Sequence, residues 1–224
     1  MNIPILFENS DVVAVDKPEG IASIPGSEKG KDTLIGLLSK QYREKLYVVH
    51  RLDKDVSGVM LFAKNAAAHK CLNDQFSGHT VKKTYCALVL GVVEKSDGSI
   101  SKPLRQFGSG RMGVDELRGK PSSTDFEVVE RFAEYTLVKA HPATGRKHQI
   151  RVHFYSIGHS IAGDTRYGDK EKATVFPRMM LHALSITFKL PSGEEKTVES
   201  PLPQLFETAM ASVRGSVEAD KHGS

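Results

Sequence analysis

Val48-Val-His-Arg-Leu-Asp-Lys-Asp-Val-Ser-Gly58 sets an arginine and an aspartate two residues apart, between an apolar strand-like run and a Ser-Gly turn. If residues 48 to 53 are extended, Arg51 and Asp53 point to one face and His50 and Leu52 to the other. A carboxylate at the end of a strand, beside a cation, has the make-up of a nucleophile or an acid-base group. Asp and Ser-Gly are also ordinary turn chemistry, so the aspartate could simply cap a turn. The stretch further resembles the opening of a calcium loop, with oxygens from Asp53, Asp55 and Ser57 followed by Gly58. Such a loop must close on a bidentate glutamate at its twelfth position. Lys64 stands there, which sets calcium aside.

A second stretch, Pro142-Ala-Thr-Gly-Arg-Lys-His-Gln-Ile-Arg-Val-His-Phe154, is cationic. From Tyr135 to Gly163 there is no Asp or Glu, while Lys139, Arg146, Lys147 and Arg151 all fall there. A local field of that sign suits phosphate-rich ligands better than the net charge of +4 alone suggests. Read as a strand, the segment groups Gln149, Arg151 and His153 on one face and Ile150, Val152 and Phe154 on the other. It reads equally as the opening of a helix.

The chain of 224 residues, 39% hydrophobic and 26% charged, has the composition of a soluble globular protein with a real core. Cys71 and Cys86 form no C-x-x-C pair, and the start carries no basic leader, which together predict a reducing cytoplasm. No run approaches the roughly 18 apolar residues that a membrane span needs. His141, His148, His153, His159 and His182 invite a metal reading. Their spacing is not that of an H-E-x-x-H helix, and no carboxylate lies near the first four, so no metal is expected. Gly108-Ser-Gly-Arg-Met-Gly113 has the glycine spacing of a dinucleotide fingerprint without the strand and helix that should flank it, and reads as loop.

Along the chain, residues 12 to 15 read as a short apolar strand ending in Lys-Pro-Glu-Gly. Thr33 to Leu46 is helical in spacing, with Asp32 or Thr33 as cap. Strands are expected at Tyr47 to Asp53, Val59 to Ala63, Lys83 to Gly91, Thr124 to Phe132 and Thr136 to Ala140. Ala66 to Phe76 reads as a helix, and Ala183 to Glu199 as a closing hairpin. Residues 94 to 120, rich in Gly, Ser and charge, read as a flexible excursion, and 211 to 224 as a loose tail. Many strands with few helices between them predict an α+β fold on a mostly antiparallel sheet.

These residues carry a resemblance to the RluA-type pseudouridine synthases. His50 to Gly58 is similar to that family's His-Arg-Leu-Asp-x-x-Thr-Ser-Gly box, except that Val56 replaces the threonine. Asp16 to Pro18, Lys83 to Tyr85, Thr144 to His153, Gly163 to Gly168 and Leu181 to Ala183 resemble its other boxes, in the family's order. The resemblance implies a single catalytic domain over residues 1 to 210. It implies a mixed, largely antiparallel bent sheet flanked by helices, with an active-site cleft between two halves. It implies Asp53 as nucleophile, Arg151 as its ion-pair partner and Tyr85 as the tyrosine that packs on the target base. Arg51 would enter the RNA stack as the uridine leaves, Leu181 would touch the flipped base, and Arg146, Lys147 and His148 would contact RNA. The first box starts near Phe7, which leaves no room for the small RNA-binding domain with which many relatives begin.

The expected function is therefore isomerisation of a uridine to pseudouridine in ribosomal or transfer RNA, by a monomer without cofactor, metal or obligate protein partner. The alternative from another class is a non-catalytic RNA-binding or chaperone protein on the same scaffold. It would keep the basic face and lose the carboxylate or the tyrosine, whereas Asp53, Tyr85 and Arg151 are all present.

Overall fold

The computed structural model describes residues 1–25, 32–42 and 44–221. The chain forms β1 (Ile5–Glu8), β2 (Val12–Lys17), α1 (Leu34–Gln41), β3 (Tyr47–Val48), β4 (Ser57–Ala63) and α2 (Ala66–Ser77). It continues with β5 (Lys82–Leu90), β6 (Asp97–Ser101), β7 (Leu104–Gln106), β8 (Met112–Val114), β9 (Ser123–Arg131) and β10 (Tyr135–Pro142). Then come α3 (Gln149–Ser156), α4 (Lys170–Ala173), β11 (Leu181–Lys189), β12 (Glu195–Glu199) and α5 (Gln204–Lys221). The strands form a mixed, largely antiparallel arrangement with few helices, the α+β class that the strand-rich pattern predicts.

The chain divides into two compact units, one of residues 1–84 and 182–201, the other of 85–181 and 202 onward. In the first unit the strand order is β1-β2-β4-β11, with β3 on β4 and β12 on β11. β2 and β4 pair antiparallel from Val12↔Ala63 to Lys17↔Gly58, whereas β4 and β11 run parallel. Val12–Val15 and Met60–Ala63 are wholly buried, as expected of apolar runs covered on both faces. Thr33 caps α1, its hydroxyl accepting from the Gly36 N–H, and Asn65 caps α2 in the same way through Ala68. The hairpin β11–β12 closes this unit in the predicted register region.

In the second unit the order is β5-β10-β9-β6, all antiparallel. Two expectations are corrected here, and one left open is decided. Residues 94 to 120 are built rather than flexible: β6 pairs with β9, and β7 with β8 as a hairpin. Leu104 and Met112 of that hairpin are buried against Val152 and Tyr167, and this apolar contact is what holds it. Of the two readings of the segment from His148, strand or helix opening, the helix holds, as α3. Of the expected loose tail, residues 211–221 lie inside α5, whose Phe206, Ala209, Met210 and Val213 are buried at helical spacing, and 222–224 lie outside the described residues. Among the described residues no helix is long and apolar enough to cross a membrane.

Candidate active site

The box from His50 to Gly58 divides into residues that hold the backbone and residues that do not. The His50 ring stacks on Phe76 at 4.8 Å, and its Nε2 accepts from the Leu61 N–H at 2.9 Å. That acceptor role needs a neutral imidazole, and burial, with Lys83 nearby, pushes the His50 pKa down to about 3. Leu52 is buried, and the Ser23 hydroxyl clamps its backbone from both sides, donating to its C=O at 2.7 Å and meeting its N–H at 3.1 Å. Ser57 is buried, its Oγ 2.7 Å from His182 Nδ1. Gly58 sits at φ +116°, and a Cβ there would lie 2.2 Å from the Ala183 carbonyl oxygen, so only glycine fits. Between these fixed points Arg51 is exposed and Asp53 half-buried, the alternation around Leu52 that the sequence predicts. Strand β3 nevertheless ends at Val48, so the alternation continues through a segment without regular pairing.

Lys17, from the Asp-Lys-Pro box, is completely buried beneath the Asp53 turn. Its ammonium donates to the carbonyls of Pro18 at 2.9 Å, Lys54 at 3.0 Å and Val56 at 2.7 Å. A buried cation is tolerated only with such partners. The geometry makes Lys17 the post on which residues 53 to 56 are wound, and the Val56 N–H closes the turn on the Asp53 carbonyl at 3.2 Å. The motif marked Lys17 without revealing this role. Asp16, its neighbour, accepts from the Ser200 hydroxyl at 2.8 Å.

In the second unit the basic segment contributes differently from the strand reading. Gln149 opens α3 by folding back: its Oε1 accepts from the Thr144 hydroxyl and the Arg146 N–H, and its Nε2 donates to Ser123 O and Thr124 Oγ1. His148 precedes it at φ +55°, its Nδ1 2.7 Å from the Tyr167 hydroxyl. His153, one turn on from Gln149, meets the same Thr124 Oγ1 at 2.8 Å and the Lys102 carbonyl at 3.0 Å, and burial pushes its imidazole pKa down. Gln149 and His153 therefore share a face that Arg151 does not. All three are buried on hydrogen bonds. Arg151 forms a two-pronged pair with Asp164, Nε to Oδ2 at 2.7 Å and Nη2 to Oδ1 at 2.9 Å, over the face of Tyr167. Burial opposes the Asp164 charge, but the Arg151 contact and the Arg166 and Tyr167 N–H groups outweigh it, so its pKa is lowered.

Of the remaining expected residues, Tyr85 is half-buried on β5 opposite Ala140, and Leu181 is buried at the start of β11. Arg146 is half-buried, its Nε 3.4 Å from the Pro121 carbonyl, and Lys147 is exposed. Arg111, on the hairpin, lies over the rings of Tyr155 and Tyr167. Asp164 and Tyr167 had no role in the sequence reading; the Gly-Asp-x-x-Tyr-Gly spacing was the signal that could have found them. Among the described residues no group of three or more His, Cys, Asp or Glu side chains is placed to hold a metal ion.

The fold and these boxes define an RNA-modifying synthase: residues 11–156 match the RNA pseudouridylate synthase family, and the chain belongs to it. Its relatives include the ribosomal large subunit pseudouridine synthase C of Yersinia pestis, 39% identical over 94% of this chain and 69% of that protein. The dual-specificity RNA pseudouridine synthase RluA of Vibrio vulnificus is 40% identical over 84% of this chain and 78% of that one. Human RNA pseudouridylate synthase domain containing 1 superposes with a TM-score of 0.78 at 29% identity, over 95% of both chains.

Proposed function

We propose that this protein converts a uridine of structured ribosomal or transfer RNA to pseudouridine, with Asp53 as the nucleophile. The observation that carries this is the construction around Asp53. Lys17, Ser23, His50, Ser57 and Gly58 fix the backbone on both sides of it, and the box leaves a half-buried carboxylate and an exposed arginine as its variable chemistry. Precise placement of one reacting group is what a covalent mechanism requires.

The reaction breaks the bond between ribose C1′ and uracil N1 and forms one from C1′ to C5. The C5 proton is lost and N1 gains one, so the step is balanced without a redox partner. A stacked uridine hides these atoms, and extrusion from the helix is required first. In this reading Arg51 fills the space that the base leaves, Tyr85 packs on the base and assists loss of the C5 proton, and Leu181 contacts it. Arg151 serves the chemical step in this reading, as the fixed cation of the site. Arg146, Lys147 and His148 belong to the RNA-facing set. Phosphate contacts supply affinity without sequence information, which fits a segment free of acidic residues.

The test is Asp53→Asn, assayed for isomerisation and for binding on one RNA. Turnover should vanish while affinity stays within about threefold, because the phosphate contacts persist. Near-normal turnover would remove Asp53 from the mechanism and favour a protein that only binds RNA.

A further inference from the structure

Asp164 is 1% exposed, and its carboxylate is committed twice over. Oδ1 accepts from the backbone N–H of Arg166 at 2.9 Å and of Tyr167 at 3.2 Å, which fixes the carboxylate on its own turn. The same group then grips Arg151 along its Nε–Nη2 edge. A second, independent constraint acts on the guanidinium face. Its Cζ lies 5.0 Å from the centre of the Tyr167 ring, whose hydroxyl meets His148 Nδ1 at 2.7 Å and accepts from the Met112 N–H at 3.2 Å. Edge and face are thus held by groups that are each anchored elsewhere.

Burying such a pair is a poor route to stability, because the desolvation of two ions consumes most of their attraction. Nor does Asp164 strengthen the field of Arg151: its negative charge cancels it. What the arrangement does supply is orientation. We infer that Asp164 is a positioning residue, which fixes the plane and rotation of the Arg151 guanidinium so that its far edge is aligned for the reaction. The inference rests on the role proposed above for Arg151, and goes beyond it in assigning that alignment to a residue outside the cationic segment.

The experiment compares Asp164→Asn with the wild-type protein on one substrate RNA, with thermal unfolding measured alongside. Asparagine keeps an oxygen for the Arg166 and Tyr167 N–H groups and loses the two-pronged grip. Expected is a fall in kcat of about tenfold or more with KM within about threefold, since misalignment affects the chemical step. Lysine has no second edge to align, so in an Arg151→Lys background the same change should cost less than about threefold. An unchanged kcat, a rise in KM alone, or equal losses in both backgrounds would overturn the assignment. Should Asp164→Asn fail to fold, Tyr167→Leu removes the supporting face, and the same non-additivity with Arg151→Lys decides. Asp53→Asn is run in parallel. If it stays active, the proposed function falls; if it is inactive while Asp164→Asn keeps wild-type kcat, only the positioning role falls.

Discussion

At the scale of single residues, the box that identifies the family is mostly scaffold. His50 shows how a motif histidine becomes structural: its Nε2 must accept a hydrogen bond from Leu61, and its ring is packed on Phe76. Its folded pKa lies near 3, below the ordinary 6.5. The unfolded chain therefore binds a proton through pH 6.5 that the folded chain refuses until about pH 3. Stability from this group is complete above pH 6.5 and declines as the pH falls toward 3, by about 1.4 kcal/mol per unit. A His50→Gln variant cannot titrate there. Its deficit relative to the wild type should be largest at pH 7 and shrink by about 2 kcal/mol at pH 5. Urea unfolding at the two pH values measures this, and a constant deficit would show that His50 titrates normally in the fold. Cys86 gives a parallel case, a buried thiol pushed up to about 11 and so held as an inert apolar group.

At the scale of elements, periodicity recovered the paired strands and the two capped helices, and failed where burial has no polar side. Gln149–Phe154 alternates polar and apolar like a strand, yet every one of these residues is buried, the polar ones on hydrogen bonds. A segment covered all round carries no amphipathic signature, and its helix was legible only as an alternative. The hairpin β7–β8 escaped for another reason: its glycines and charges are real, but two apolar residues, Leu104 and Met112, suffice to seat it on Val152 and Tyr167. Helix α5 was hidden by small polar residues between Phe206, Met210 and Val213. Met210 is 3% exposed, so Met210→Ala should cost about 2–4 kcal/mol, as for a buried apolar side chain cut to alanine. The urea midpoint reports it. A loss under about 0.5 kcal/mol, typical of a surface substitution, would show that α5 is not packed at residue 210.

At the scale of the whole molecule, Arg51 and Asp53 belong to the first compact unit and Tyr85, Arg151 and Leu181 to the second. Which boxes matter was legible in the sequence, because the chemistry-bearing residues recur in family order. The contacts that set their geometry join Lys17 to carbonyls 37 and 39 residues away and Arg151 to Asp164 13 residues away, so the boxes could mark these residues without pairing them. The proposal gives the two arginines separate duties, and these can be separated on RNA. Arg51 is exposed and supports the space vacated by the uridine, so its loss should hurt most where unstacking is most expensive. Arg151 serves the step after the base has left the stack, and removing it also strands the buried Asp164 carboxylate, a loss of several kcal/mol. Presenting the target uridine in a loosened or mismatched loop should therefore restore part of the single-turnover rate of Arg51→Ala and none of that of Arg151→Ala. The comparison uses paired and loosened forms of one substrate at saturating enzyme, with unfolding midpoints to confirm that both variants are folded. Rescue of both variants to the same extent, or of neither, would mean that the two arginines do not divide extrusion from chemistry.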